Sequence, residues 1–205
     1  MSTFPTSWLG FVTTNEYRAN PQSMNDELQS LGKDAGCTRV YHGVQHEDPE
    51  FGCLIALWPS SESRQTFLES QRIEVQTVII ATKVGTNGEG MAVDFKSNPA
   101  PVFEAGIVEV LMVEVKDGKS AADVAPYLDE MTSMRGHGVV DGTWGTSDRS
   151  DGEIVLVIGW ESIEAHKTFV AAGATESLKT VMGNILQVAT LKVNHVKLHH
   201  GTSRD

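Results

Sequence analysis

Cysteine is scarce in this chain: among 205 residues only Cys37 and Cys53 occur. Neither sits in a CxxC or Cys/His pattern, which excludes a disulfide framework and a zinc-finger-like site. Each thiol reads as free and buried. Long apolar runs are missing too, since none reaches the roughly 18 residues of a bilayer-spanning helix. The N-terminal stretch Met1-Ser2-Thr3-Phe4-Pro5 has neither the basic nor the apolar region of a secretion signal. The expected location is therefore the cytoplasm. Positive charge is in deficit: 16 Lys and Arg stand against 27 Asp and Glu, a net charge of −11. Such a surface repels phosphate backbones and anionic headgroups, so neither nucleic acid nor a membrane is an expected partner. The loop at 85–90 (GTNGEG) lacks the Lys-Ser/Thr of a P-loop and the GxGxxG spacing after a strand, and there is no GxSxG elbow. Any enzymatic reading thus falls on chemistry without a nucleotide, and no cofactor is expected.

What is present is a repeat. Residues 58–67 (WPSSESRQTF) lie over 160–169 (WESIEAHKTF) without a gap, at an offset of 102 and with five of ten positions identical. The same offset places Gly36 on Gly138, Gly43 on Gly145, Leu54 on Leu156 and Glu74 on Glu176. Self-similarity at one fixed period predicts two copies of one unit, 1–101 and 102–205.

The second copy has the clearer pattern. Residues 107–115 (IVEVLMVEV) form a β-branched apolar run closed by Lys116-Asp117-Gly118-Lys119, a turn composition. Ser120 can cap a helix running to about 134, with Ala121, Val124, Leu128 and Met131 at helical spacing. Strands are predicted over 139–146 and 153–160, joined by a polar loop at 147–152. Ser162 caps a second helix that places Ile163, His166 and Val170 on one face. A further helix covers 176–186, and 189–198 is the fourth strand. The order is βαββαβ, a ferredoxin-like α+β unit. The first copy predicts strands at 8–14, 37–45, 51–58 and 91–95, with helices at 23–31 and 60–67. Residues 75–82 fit helix or strand equally, and 98–101 read as a linker. Strands 107–115 and 154–158 are apolar on both faces, so each face needs a cover. The unit's own helices cover one and a second sheet the other. Two such units can then close their sheets into one intramolecular, pseudo-dimeric barrel.

The segment 153–169 (EIVLVIGWESIEAHKTF) resembles the third strand and second helix of dimeric α+β barrel proteins, the antibiotic-biosynthesis-monooxygenase-like and stress-responsive barrel families. Trp160, Ser162, Glu164, Ala165 and Phe169 carry the likeness. The element order agrees over about 107–198 and more weakly over 8–96. The resemblance implies a tandem pseudo-dimer in one chain, without naming the chemistry. Plant polyketide cyclases of this shape use a Tyr and a nearby His, where this chain has Phe169 and, close by, Thr175. Haem-degrading members use a Trp and an axial His, where this chain has Phe169 and the region of Lys179. Neither site carries over, and haem is not expected.

Seven histidines occur, with no HxH or HExxH spacing to signal a metal. His42 shares a strand face with Val40 and Val44, and the repeat puts Trp144 at its equivalent. His195 shares a face with Leu191 and Val193. An imidazole titrates near neutrality, so either one suits a general acid/base in an apolar cleft, against the alternative of a hydrogen-bonded structural histidine. Trp144, Phe169, Tyr127 and His166 are candidates for a wall that binds an aromatic ligand, against the alternative of ordinary core. Trp58 and Trp160 read as duplicated packing residues. Glu109 and Glu114 lie on opposite faces of one strand, so one of them points inward.

Three functions are weighed on this basis. The first is cofactor-independent cyclisation, isomerisation or dehydration of a hydrophobic polyketide-like or aromatic molecule in secondary metabolism, with His42 or His195 moving the proton. The second is cofactor-free monooxygenation of a phenol. The third is a non-enzymatic stress-associated or carrier barrel. The expected partner is the hydrophobic small molecule, and the composition allows a homodimer.

Overall fold

The computed structural model describes residues 3–70, 85–86, 90–150, 152–172 and 176–200. The ambiguous stretch 75–82 and Thr175 lie outside them. The chain divides into two compact units, residues 1–94 with 196–205, and residues 95–195.

The first unit runs β1 (Phe4–Thr13), α1 (Asn15–Ala19), α2 (Asn25–Ala35), β2 (Arg39–Gln45), β3 (Phe51–Leu57), α3 (Ser61–Leu68), β4 (Gly85–Thr86) and β5 (Gly90–Phe95). β3 lies between β1 and β2, antiparallel to both, and β1 also neighbours β4 and β5. The outer edge of β2 takes the chain's last residues, from Tyr41↔His200 to Gln45↔Val196. Two elements differ from the local pattern. β1 begins four residues before the predicted start at Trp8, because Thr6 already pairs with Leu57 and is fully buried. The helix expected from 23 begins as a 3-10 turn at Pro21–Met24, and α2 ends at Gly36, whose φ of 93° only glycine adopts readily.

The second unit runs α4 (Ala100–Phe103), β6 (Ile107–Val115), α5 (Ala121–Ser133), β7 (Val139–Ser147), β8 (Glu153–Trp160), α6 (Ile163–Ala171), α7 (Glu176–Val188) and β9 (Ala189–His200), the last as far as His195. The expected linker at 98–101 is partly helical: Pro99 and Pro101 open the single turn of α4, which buries Val102 and Phe103 completely. β8 is central between β6 and β7, antiparallel to both, and β9 flanks β6. Asp123 accepts the Ser120 backbone N–H at 2.8 Å, closing the first turn of α5. Ile107, Leu111 and Val113 of β6 pack with Ile154, Leu156 and Ile158 of β8 against Leu128 of α5 and Ile185 of α7. On β6 the alternation of side chains puts Glu109 on that same core face.

The two ladders share a register. Thr6↔Leu57 in the first unit has Val108↔Gly159 at its counterpart, and Arg39↔Leu57 has Asp141↔Gly159. Each pair is displaced by the offset of 102 seen in the sequence. Among the described residues, no helix is long and apolar enough to cross a membrane.

Candidate functional site

The second unit contains a cavity of about 290 Å³. Leu111 and Ile158 of the sheet form its floor, and Met131, Leu178 and Met182 line its helical side. Methionines are flexible and polarisable, so such a wall accommodates varied apolar shapes. Val170 and Val193 also line it, yet they are 56% and 41% exposed, which marks where the cavity meets solvent. Lys179 lines it as well, with its ammonium paired to Glu176 at 2.9 Å.

Apart from Lys179, the charged and titratable groups of this wall are concentrated at one point. Glu109 is 7% exposed, and its Oε2 accepts the indole N–H of Trp160 at 2.9 Å. His166 Nε2 stands 3.7 Å from the same oxygen. The rings of His166 and His195 lie 4.6 Å apart, and the Trp160 ring is 4.7 Å from His166. Phe169 stacks at 5.5 Å from Trp160 and 5.4 Å from His137.

Local sequence explains each placement. β8 ends at Trp160, and Ser162 then caps α6 by accepting the Ala165 N–H at 3.1 Å. That start sets the helix phase and brings His166 and Phe169 to the cavity. Gly138 permits the approach: a Cβ there would meet the Ala165 Cβ at 2.7 Å, and its φ is 86°. Glu109 follows from alternation on β6, and Glu114 is the exposed member of the pair. A carboxylate buried in an apolar strand requires partners, and Trp160 is one.

The residues singled out by sequence divide among three places. His166 and Phe169 line the cavity, and His195 adjoins them with its ring 4.6 Å from that of His166. Trp144 and Tyr127 belong to the second unit's core and do not line it. Trp144 donates its indole N–H to Asp129 at 2.7 Å and lies under Lys96 Nζ at 4.4 Å. Burial pushes the Asp129 carboxyl upward, but hydrogen bonds from Lys96 and Trp144 hold it below its ordinary value.

His42 belongs to the first unit and is 1% exposed. Tyr17 donates its O–H to Nδ1 at 2.7 Å, and Nε2 faces Asn25 Oδ1 at 2.9 Å. Burial raises the Tyr17 pKa and lowers that of His42, so the phenol keeps its proton and the imidazole is neutral; Asn25 Oδ1 can only accept, which puts the ring N–H on Nε2. Both ring nitrogens are thus engaged within the fold.

Two members of the cluster carry no functional assignment in the sequence reading. Trp160 reads there as packing and Glu109 only as one of two inward candidates. A signal for both exists at the offset of 102: Ser7 stands where Glu109 does, and Trp58 donates to Ser7 Oγ at 2.9 Å as Trp160 does to Glu109. The repeat preserves the donor and changes the acceptor.

No family model and no curated protein matches this chain. Solved structures do. A candidate monooxygenase from Fusobacterium nucleatum aligns with a TM-score of 0.69 at 11% identity, covering 96% of this chain and 93% of that one. An anthrone oxidase-like protein aligns at 0.67 and 13% identity, covering 96% and 92%. A candidate monooxygenase from Lactobacillus acidophilus aligns at 0.60 and 14%, covering 95% and 94%. These neighbours have the dimeric α+β barrel fold. At such identities the likeness establishes the fold and leaves the activity to the site.

Proposed function

We propose that the second unit binds a hydrophobic aromatic or polyketide-like molecule in its cavity and moves a proton on it. His166 is the acid/base, Glu109 orients it and offsets the charge it gains, and His195 completes the polar corner. The observation that carries this reading is that Glu109 and His166 line a largely apolar cavity, with His195 gathered beside them. A buried base in an apolar pocket can deprotonate a weakly acidic C–H or O–H and hold the resulting anion away from water. Phe169 and Trp160 offer ring faces for the ligand. The shared ladder register supports reading both units as ferredoxin-like copies of an ancestral half.

Cofactor-free oxygenation shares this first step. A methylene flanked by aromatic rings, as in an anthrone, loses its proton to the base. The carbanion then reacts with O2, and the methylene becomes a carbonyl while the second oxygen atom leaves as water. The largely apolar cavity wall favours this reading because it limits reprotonation of the carbanion.

Anthrone in deuterated buffer with a chelator present tests both. Exchange at the methylene, read by NMR, reports proton transfer, and an oxygen electrode reports oxidation. His166→Gln and Glu109→Gln are each expected to lower the rate by about 10²-fold or more. Binding without exchange or oxygen uptake would identify a carrier, and rates unchanged in both variants would overturn the assignment.

A further inference from the structure

We propose that Glu109, His166 and His195 form a binding site for one divalent transition-metal ion, open toward the cavity. The proposal goes beyond the proton-transfer reading and does not rest on it. One donor atom from each of the three residues lies within 4.8 Å of the other two. His166 Nε2 and Glu109 Oε2 stand 3.7 Å apart. That is longer than a hydrogen bond, about 2.7–3.2 Å. It is close to the roughly 3.3 Å that separates two ligands around a tetrahedral ion with bonds of about 2.0–2.1 Å. Two imidazoles and a carboxylate are a donor set for zinc and neighbouring metals, and three protein ligands leave a position for water or an oxygen of the bound molecule. The Trp160 N–H held at 2.9 Å to Glu109 fixes the carboxylate's orientation, as the outer partners of metal ligands do.

The first unit supplies an independent argument. At the offset of 102, Ser7 stands for Glu109, Arg64 for His166 and Val93 for His195. Arg64 there binds Asp94 at 2.9 Å and the Thr6 carbonyl at 3.3 Å. The βαββαβ order therefore does not itself require two histidines and a carboxylate at these places. Burying Glu109 and His195 beside the half-buried His166 in the second unit costs free energy, and a bound ion offsets that cost. The three come from β6, α6 and β9, so no local spacing announces them.

An ion at this place supplies a Lewis acid at the cavity wall. It also occupies the lone pairs that the proton-transfer reading uses, so the two fail separately. The test uses the full chain stripped by chelator and dialysed. Zn2+ is titrated calorimetrically, and Co2+ binding is followed by visible absorption. One ion per chain is expected, with the cobalt bands of a four- or five-coordinate site. Glu109→Gln, His166→Gln and His195→Gln should each weaken Zn2+ by at least about tenfold, while a His199→Ala/His200→Ala variant binds as the wild type does. Circular dichroism verifies the folding of each variant, and the substitutions that fold decide the matter. Absence of binding overturns the proposal. So does affinity unchanged by all three substitutions, or affinity lost with His199 and His200. Exchange on anthrone under chelation with no metal affinity would refute this site and leave the proton-transfer reading standing. Metal affinity without exchange would do the reverse.

Discussion

At Trp58 and Trp160 one side chain meets two acceptors, Ser7 in the first unit and Glu109 in the second. Glu109→Ser rebuilds the first unit's pair inside the second. It removes a buried carboxylate and leaves a small void, two effects of opposite sign. The expected change in urea stability is under about 1 kcal/mol, whereas anthrone exchange falls by about 10²-fold. A large loss of stability would show that the carboxylate is structural. His42 gives a second prediction. Burial first, then His199 and His200, lower its pKa from 6.5 to about 3. The unfolded chain takes up this proton below 6.5, while the native site resists until near 3. The unfolded state thus binds more protons within that window, and stability falls as pH drops through it. This residue contributes up to about 1.4 kcal/mol per pH unit. His199, lowered by burial and by Lys197, acts in the same direction. His42→Gln should lower the urea midpoint at pH 7 and make the acid-side decline shallower. An unchanged slope would remove His42 as its source. Alternation along the strand makes the inward face of His42 legible, but the closure by Tyr17 and Asn25 is not, since both partners come from other elements.

At the scale of the element, α6 depends on its cap more than on its packing. None of its residues is fully buried, and Ser162 holds its first turn through the Ala165 N–H. Ser60 does the same for α3 through Ser63. Ser162→Ala should cost about 1 kcal/mol in urea unfolding. It should also weaken ligand binding in the cavity, because His166 and Phe169 ride on that helix. Titration of a fluorescent polycyclic phenol would read this, and binding unchanged despite the lost stability would separate α6 from the site. The starts of α3 and α6 are readable from Ser60 and Ser162 because capping is a local device. The turn of α4, which begins inside the expected linker 98–101, is not readable. Two prolines and an asparagine suggest a loop, and what holds the helix is the burial of Val102 and Phe103, a tertiary effect that outweighs local preference.

For the whole molecule, both units show one strand order, with the third strand between the first and second and the fourth beside the first. The last residues of the chain belong to the first unit, where 196–200 pair with β2. Ending the chain after His195 should therefore strip β2 of its outer partner. The amides of 41–45 are expected to lose hydrogen-exchange protection by more than tenfold, about 1.4 kcal/mol. Protection retained there would mean that β3 alone suffices. The sequence by itself made the internal repeat, the central strands and the capped helices of each unit legible, because capping, turn chemistry and side-chain alternation act over a few neighbouring residues. It left Glu109 and Glu114, on opposite faces of one strand, as the two candidates for the inward position. Only the tertiary structure decided that Glu109, His166 and His195 meet. Periodicity tells which side of an element a residue occupies, but what lies opposite depends on packing between elements far apart in the chain.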